Sequence, residues 1–219
     1  MKSLARAAIA AGAALAVLAV GAQALTAGIA NAIGRDASGE ISSWTHLPGG
    51  PRPDTVDSVR NELDRIAETA PDRSYVFELM GITAARNRGD FDSMDQSLGR
   101  FSQALIERPV SPYTWSNIVH ASYELGRTGE AFQRAFRHAA ELGPWEPQVQ
   151  NTLVSYGLAV REEVAPQTRA AIDQVVANAM RRNPMETLQL AERRGRLDIA
   201  CRGIVNPSHD TTRRYLLCQ

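Results

Sequence analysis

Phe101-Ser-Gln-Ala104-Leu-Ile-Glu-Arg-Pro109 and Phe136-Arg-His-Ala139-Ala-Glu-Leu-Gly-Pro144 carry an aromatic residue, a small residue and a proline at identical offsets. Counting back from Pro144 along a helical face gives Phe132, Ala135, Phe136, Ala139 and Ala140, and from Pro184 it gives Ile172, Val175, Val176, Ala179 and Met180. Both sets are one apolar stripe at the period of an α-helix. The same frame before Pro71 selects Val59, Glu62, Leu63, Ile66 and Ala67, and before Pro109 it selects Ser97, Arg100, Phe101, Ala104 and Leu105, so the inner positions hold in all four. The prolines are 38, 35 and 40 residues apart, a period that reads as stacked helix pairs.

The helix boundaries are also legible. Pro112, Pro147 and Pro166 suit the first helical position, where the missing N–H has no partner to lose, and Gly89, Gly126 and Gly129 supply turns. Asp90, Asp92 and Asp95 cluster at one helix start; capping and the helix dipole account for them better than a calcium loop, whose glycine and terminal glutamate are missing.

Over roughly residues 55 to 184 the pattern resembles the tetratricopeptide repeat, most closely in the two central units. Phe101, Ala104 and Pro109, and again Phe136, Ala139 and Pro144, match the second helix of that family; Phe77 and Trp115 fall at its first-helix tryptophan and Gly81 at its glycine. The third unit departs, with Gln150 and Gly157 where large aromatic residues are expected. The resemblance implies a concave groove lined by first helices, which nominates Tyr113, Asn117, His120, Tyr123 and Glu124 as binding residues. A Lys and Asn clamp for a peptide carboxylate is not visible.

N-terminal to the repeats, Lys2 and Arg6 precede an uncharged run from Ala7 to Ile33, long enough as a helix to cross a bilayer. Residues 1–33 are read as a transmembrane anchor with a cytoplasmic N-terminus, which places the rest in a bacterial periplasm as a single-pass inner-membrane protein. Ala22-Gln23-Ala24 also fits a signal-peptidase box, so a cleaved, soluble periplasmic form is the alternative. Residues 34–53, with Leu47-Pro-Gly-Gly-Pro-Arg-Pro53, read as a flexible linker, and Trp44 within it as a packing or interfacial residue. Residues 54–184 are the repeats and 185–219 a C-terminal helical cap.

The body and the tail differ in charge. Residues 35 to 180 hold 14 Arg against 20 acidic side chains, and residues 181 to 219 hold 8 Arg against 4. The near-neutral total argues against a long nucleic-acid surface. Arg181, Arg182, Arg193, Arg194, Arg196, Arg202, Arg213 and Arg214 form the basic tail; Arg193, Arg194 and Arg196 are its candidate patch for an anionic glycan or lipid. Cys201 and Cys218 are the only cysteines and form a disulfide candidate in an oxidising compartment.

No phosphate loop, zinc motif, nucleophile elbow or dinucleotide fingerprint is present, and His46, His120, His138 and His209 lie in separate elements. The expectation is therefore an all-α, non-enzymatic scaffold without a cofactor, tethered to the membrane and binding envelope proteins. An anchor, a linker, degenerate repeats and a basic end together resemble, in architecture, small bacterial envelope proteins of polysaccharide synthesis and export. The rival from another class is a glycan-processing enzyme built from dispersed carboxylates.

Overall fold

The computed structural model describes residues 2–44, 47–86, 91–202 and 218. His46, Gly89, Asp90, His209, Arg213 and Arg214 lie outside the described residues. Among the described residues the chain is helical, without a strand, in the order α1 (Lys2–Ser43), α2 (Pro53–Ile66), α3 (Arg73–Ala84), α4 (Phe91–Glu107), α5 (Pro112–Glu124), α6 (Glu130–Leu142), α7 (Pro147–Val160), α8 (Pro166–Arg182), α9 (Pro184–Arg193) and α10 (Leu197–Arg202).

Proline opens α2, α5, α7, α8 and α9. The side chains of Asp72, Ser111 and Asn183 accept hydrogen bonds from the backbone N–H of Tyr75, Thr114 and Glu186, capping α3, α5 and α9. Gly126, at φ +67°, follows the end of α5 in a left-handed conformation that a β-carbon would strain.

Burial follows the proline frame. Phe132, Ala135, Phe136, Ala139, Ile172, Val176, Leu63, Ile66, Phe101 and Ala104 are all buried, whereas Arg100 turns outward, 3.5 Å from Asp64. Helices α3 and α4, α5 and α6, and α7 and α8 pack as consecutive pairs; α5 also contacts α7, α7 contacts α9, and α6 contacts α8. Glycine makes room for neighbouring rings: a β-carbon at Gly81 would lie 2.5 Å from the Phe101 ring, and one at Gly157 would lie 2.8 Å from the Phe136 ring.

The unusual residues of the third unit have a packing role. Trp115 Nε1 donates to the Pro109 carbonyl at 2.8 Å, six residues upstream, and Gln150 Nε2 donates to the carbonyl of Pro144, also six residues upstream. The amide thus replaces the indole as the donor to that loop, while the space left at Gly157 admits Phe136 and Ile172.

The N-terminal boundary differs from the sequence expectation of a linker over residues 34–53. Helix α1 continues to Ser43, and Ala30, Ala37, Ile41 and Trp44 form a buried stripe in one cluster with α2 and α3. Gly34 lies beside Ile66 and Tyr75, and Trp44 Nε1 donates to Glu40 at 3.1 Å. Gly34 and Gly39 weaken a helix by ~1 kcal/mol each. Burying the stripe offsets that cost, which composition does not reveal. Ile33 also packs against this cluster, so its apolarity belongs to the core.

The ends of even-numbered helices and the beginnings of odd-numbered ones share one edge, which holds Pro71, Pro109, Pro144 and Pro184 and is termed the proline edge. Arg108 bridges to Asp72 at 2.6 Å, Tyr113 donates to Glu146, and Arg182 donates to Gln150, tying successive loops together. Gly34 lies against the last residue of α2 and the beginning of α3, so α1 is antiparallel to α2 and leaves the body across this edge near Ala30. At the other end of the chain, a disulfide joins Cys201 to Cys218, with the Cα atoms 5.6 Å apart, and both cysteines pack against the main core.

Candidate functional site

Asn117, His120 and Glu124 recur every three or four residues on α5, and Gln148, Thr152 and Tyr156 every four on α7, so each set occupies one helix face. These faces meet Ile82, Ala85, Arg86, Met94 and Phe101 from α3, its C-terminal end and α4 around an open cavity of about 560 Å³. One wall is polar and aromatic and the other is largely apolar.

An aromatic stack organises the polar wall. The His120 imidazole lies 5.3 Å from the Tyr156 ring at an interplanar angle of 13°, and the Tyr123 ring lies 4.8 Å from Tyr156 at 47°. The Arg194 guanidinium covers Tyr156 and Tyr123 at 5.3 and 5.5 Å, and its Nη2 donates to Ser155 at 2.9 Å. Tyr156 donates its hydroxyl to Glu124 at 3.3 Å, and His120 Nε2 is 4.0 Å from the same carboxylate. Burial, followed by the Glu124 charge, pushes the Tyr156 phenol up to about 12. Asn117 Nδ2 donates to Glu78 at 3.3 Å, which orients the amide; burial raises the Glu78 carboxyl above its ordinary value.

Of the five residues nominated for the groove, Asn117, His120 and Glu124 line the cavity. Tyr113 does not: it begins α5 on the proline edge, and its hydroxyl is engaged by Glu146. Tyr123 is likewise outside the lining and packs behind it against Tyr156. Sequence reasoning missed Tyr156, Gln148 and Thr152, although their four-residue spacing on α7 is visible in the chain.

Arg194 and Arg196 of the candidate basic patch reach different partners. Arg194 serves the aromatic stack, Arg196 lies 3.7 Å from Glu162, and Arg193 is exposed at the end of α9. Arg202 is held by Asp198 at 2.7 Å, and Arg181 donates to Asn178. Arg194, Arg196, Arg202 and Arg181 thus each turn to a partner on their own or a neighbouring element.

The cavity offers hydrogen-bond donors and acceptors beside an apolar wall, which suits an extended polymer segment with mixed side chains. Glu124 is its one carboxylate and His120 its one imidazole among the described lining residues. No group of three metal-ligating side chains occurs among the described residues. No protein-family model, curated protein or solved structure matches this chain.

Proposed function

We propose that the chain is a scaffold of tetratricopeptide-like helix pairs, tethered to the bacterial inner membrane by α1, that binds a segment of an envelope protein in the groove between α3, α5 and α7. The observation that carries this reading is a cavity of about 560 Å³ crossing successive helix pairs, lined by faces of α5 and α7 that present amide, imidazole, carboxylate and phenol groups. Contacts of α5 with α7 and of α6 with α8 favour a repeat array. The tether reading has separate support: Leu15, Val17, Leu18 and Val20 are each at least 65% exposed in a helix long and apolar enough to span a membrane. A cytoplasmic N-terminus, a periplasmic body and a place in polysaccharide assembly or export complete the proposal, the last on architecture alone.

The test is crosslinking in cells, purification of the full chain through a C-terminal tag, and mass spectrometry of the N-terminus and crosslinked partners. The expected result is an uncleaved chain with a partner crosslink that His120→Ala with Tyr156→Ala abolishes. A crosslink unaffected by that pair would remove the groove from the proposal. The second reading, a soluble form cleaved after Ala24, draws on the fact that the buried stripe of α1 begins at Ala30 and so survives cleavage. A chain beginning at Leu25 and free of membranes would establish it.

A further inference from the structure

Outside α1, the large apolar side chains exposed in the described residues are unevenly placed. Ile106 (82%), Val110 (66%), Trp145 (61%), Leu142 and Tyr113 all lie at the proline edge, against only Leu47 and Phe91 at the opposite edge, where the Arg127 guanidinium covers the Phe91 ring. The proline edge is also where α1 leaves the body. Ala30 is buried, whereas Ile29 is 53% exposed and Leu15, Val17, Leu18, Val20 and Leu25 are 65–71% exposed, so the boundary falls near the loop after α2, on the edge it shares with the loops after α4 and α6.

We propose that the proline edge rests on the bilayer surface, with Ile106, Val110, Leu142 and Trp145 seated in its interfacial region; this builds on the reading of α1 as a membrane span. Residues 7 to 29 remain for the bilayer once Ile33 is assigned to the core, and at ~1.5 Å per residue they extend about 35 Å, enough for its hydrocarbon thickness. A bilayer crossed by that segment lies across the edge from which it emerges. Tryptophan and tyrosine favour the headgroup level, where a ring is half wet and half apolar, and aliphatic loop tips gain by leaving water there. Several charges on this edge are paired: Arg73 with Glu68 and Glu107 at 3.8 and 3.7 Å, and Arg108 with Asp72 at 2.6 Å. Pairing lowers the cost of bringing them toward lipid. The continuous helix, in place of a flexible linker, holds the body in this orientation.

The test uses the full chain with its native disulfide, carrying one fluorophore-labelled cysteine at Ile106, Val110 or Trp145, at Leu47 or Phe91, or at Leu18. Each is reconstituted into phosphatidylcholine and phosphatidylglycerol vesicles containing lipids with shallow or deep nitroxide quenchers. The proposal expects shallow quenching severalfold stronger at Ile106, Val110 and Trp145 than at Leu47 and Phe91, together with deep quenching at Leu18. Deep quenching at Leu18 with both edges unquenched would leave the span intact and overturn the seated edge. An unquenched Leu18 would remove the span and this proposal with it. A labelled Trp145→Cys chain that is unquenched, together with an unlabelled Trp145→Cys chain that forms disulfide-linked dimers, would assign the edge to a second copy and overturn the bilayer contact.

Discussion

The two parts of α1 share a secondary structure and differ in everything that covers it. Leu15, Val17, Leu18, Val20 and Leu25 are between 65% and 71% exposed, whereas Ala30, Ala37, Ile41 and Trp44 are at most 5% exposed. The outer part is apolar on all sides, and the inner part sets a buried stripe against exposed Arg35, Asp36 and Glu40. A stripe suits a protein core and uniform apolarity is what the proposed membrane span requires, so the pattern divides one unbroken helix into two parts. Low complexity around Gly34 and Gly39 conceals that division from a reading based on composition.

The largest effect should come from the packed part. Trp44→Ala is expected to lower the unfolding free energy of the body by about 3–5 kcal/mol, read from denaturant midpoints in detergent, while Leu18→Ala shifts it by less than about 0.5 kcal/mol. Equal shifts would break the comparison. Next, Leu18→Arg should disfavour membrane insertion by about 3–4 kcal/mol, seen as loss of the chain from washed membranes, with the body's unfolding unchanged.

Glycine substitutions sharpen the contrast between core and helix. Gly81→Ala should cost about 1–3 kcal/mol in thermal unfolding, since its new methyl meets the Phe101 ring at 2.5 Å. Gly34→Ala should instead stabilise by up to about 1 kcal/mol, because its nearest neighbour, Tyr75, is at 3.9 Å and the helix gains a better former. Destabilisation at Gly34 would mean a tighter junction between α1 and α3 than the structure has.

The groove supplies an effect confined to alkaline pH. With the Tyr156 phenol raised from 10.0 to about 12, the folded chain keeps a proton that the unfolded chain releases, so this residue's contribution to stability is complete below pH 10 and is lost as pH rises toward 12. Phenolate absorbance should show a tyrosine titrating near the upper value that Tyr156→Phe removes, together with its share of the alkaline destabilisation. A titration unchanged by Tyr156→Phe would separate Tyr156 from Glu124 and dismantle the stack.

What was legible depended on how far apart the determining residues lie. Asn117, His120 and Glu124 could be placed on one face because a single helix relates them, and Pro112 marked where that helix begins. Tyr156 and Arg194 could not be joined to them from spacing, since they come from α7 and the end of α9 and meet α5 only through packing. The partners of the basic tail were hidden for the same reason: Arg194 and Arg196 find different acceptors once α9 is docked.

The amino-acid sequence by itself determined the helical class, the proline-marked helix starts, the buried face of each second helix and the exposed apolar N-terminal segment. All of these rest on neighbours within a turn or two along one chain segment. Tertiary structure alone decided that α1 runs on to Ser43 as part of the core, that Gln150 can stand where an indole was expected, and which side chains meet in the groove. Those outcomes turn on which faces of distant helices come together, and that is set by the summed burial of the whole body.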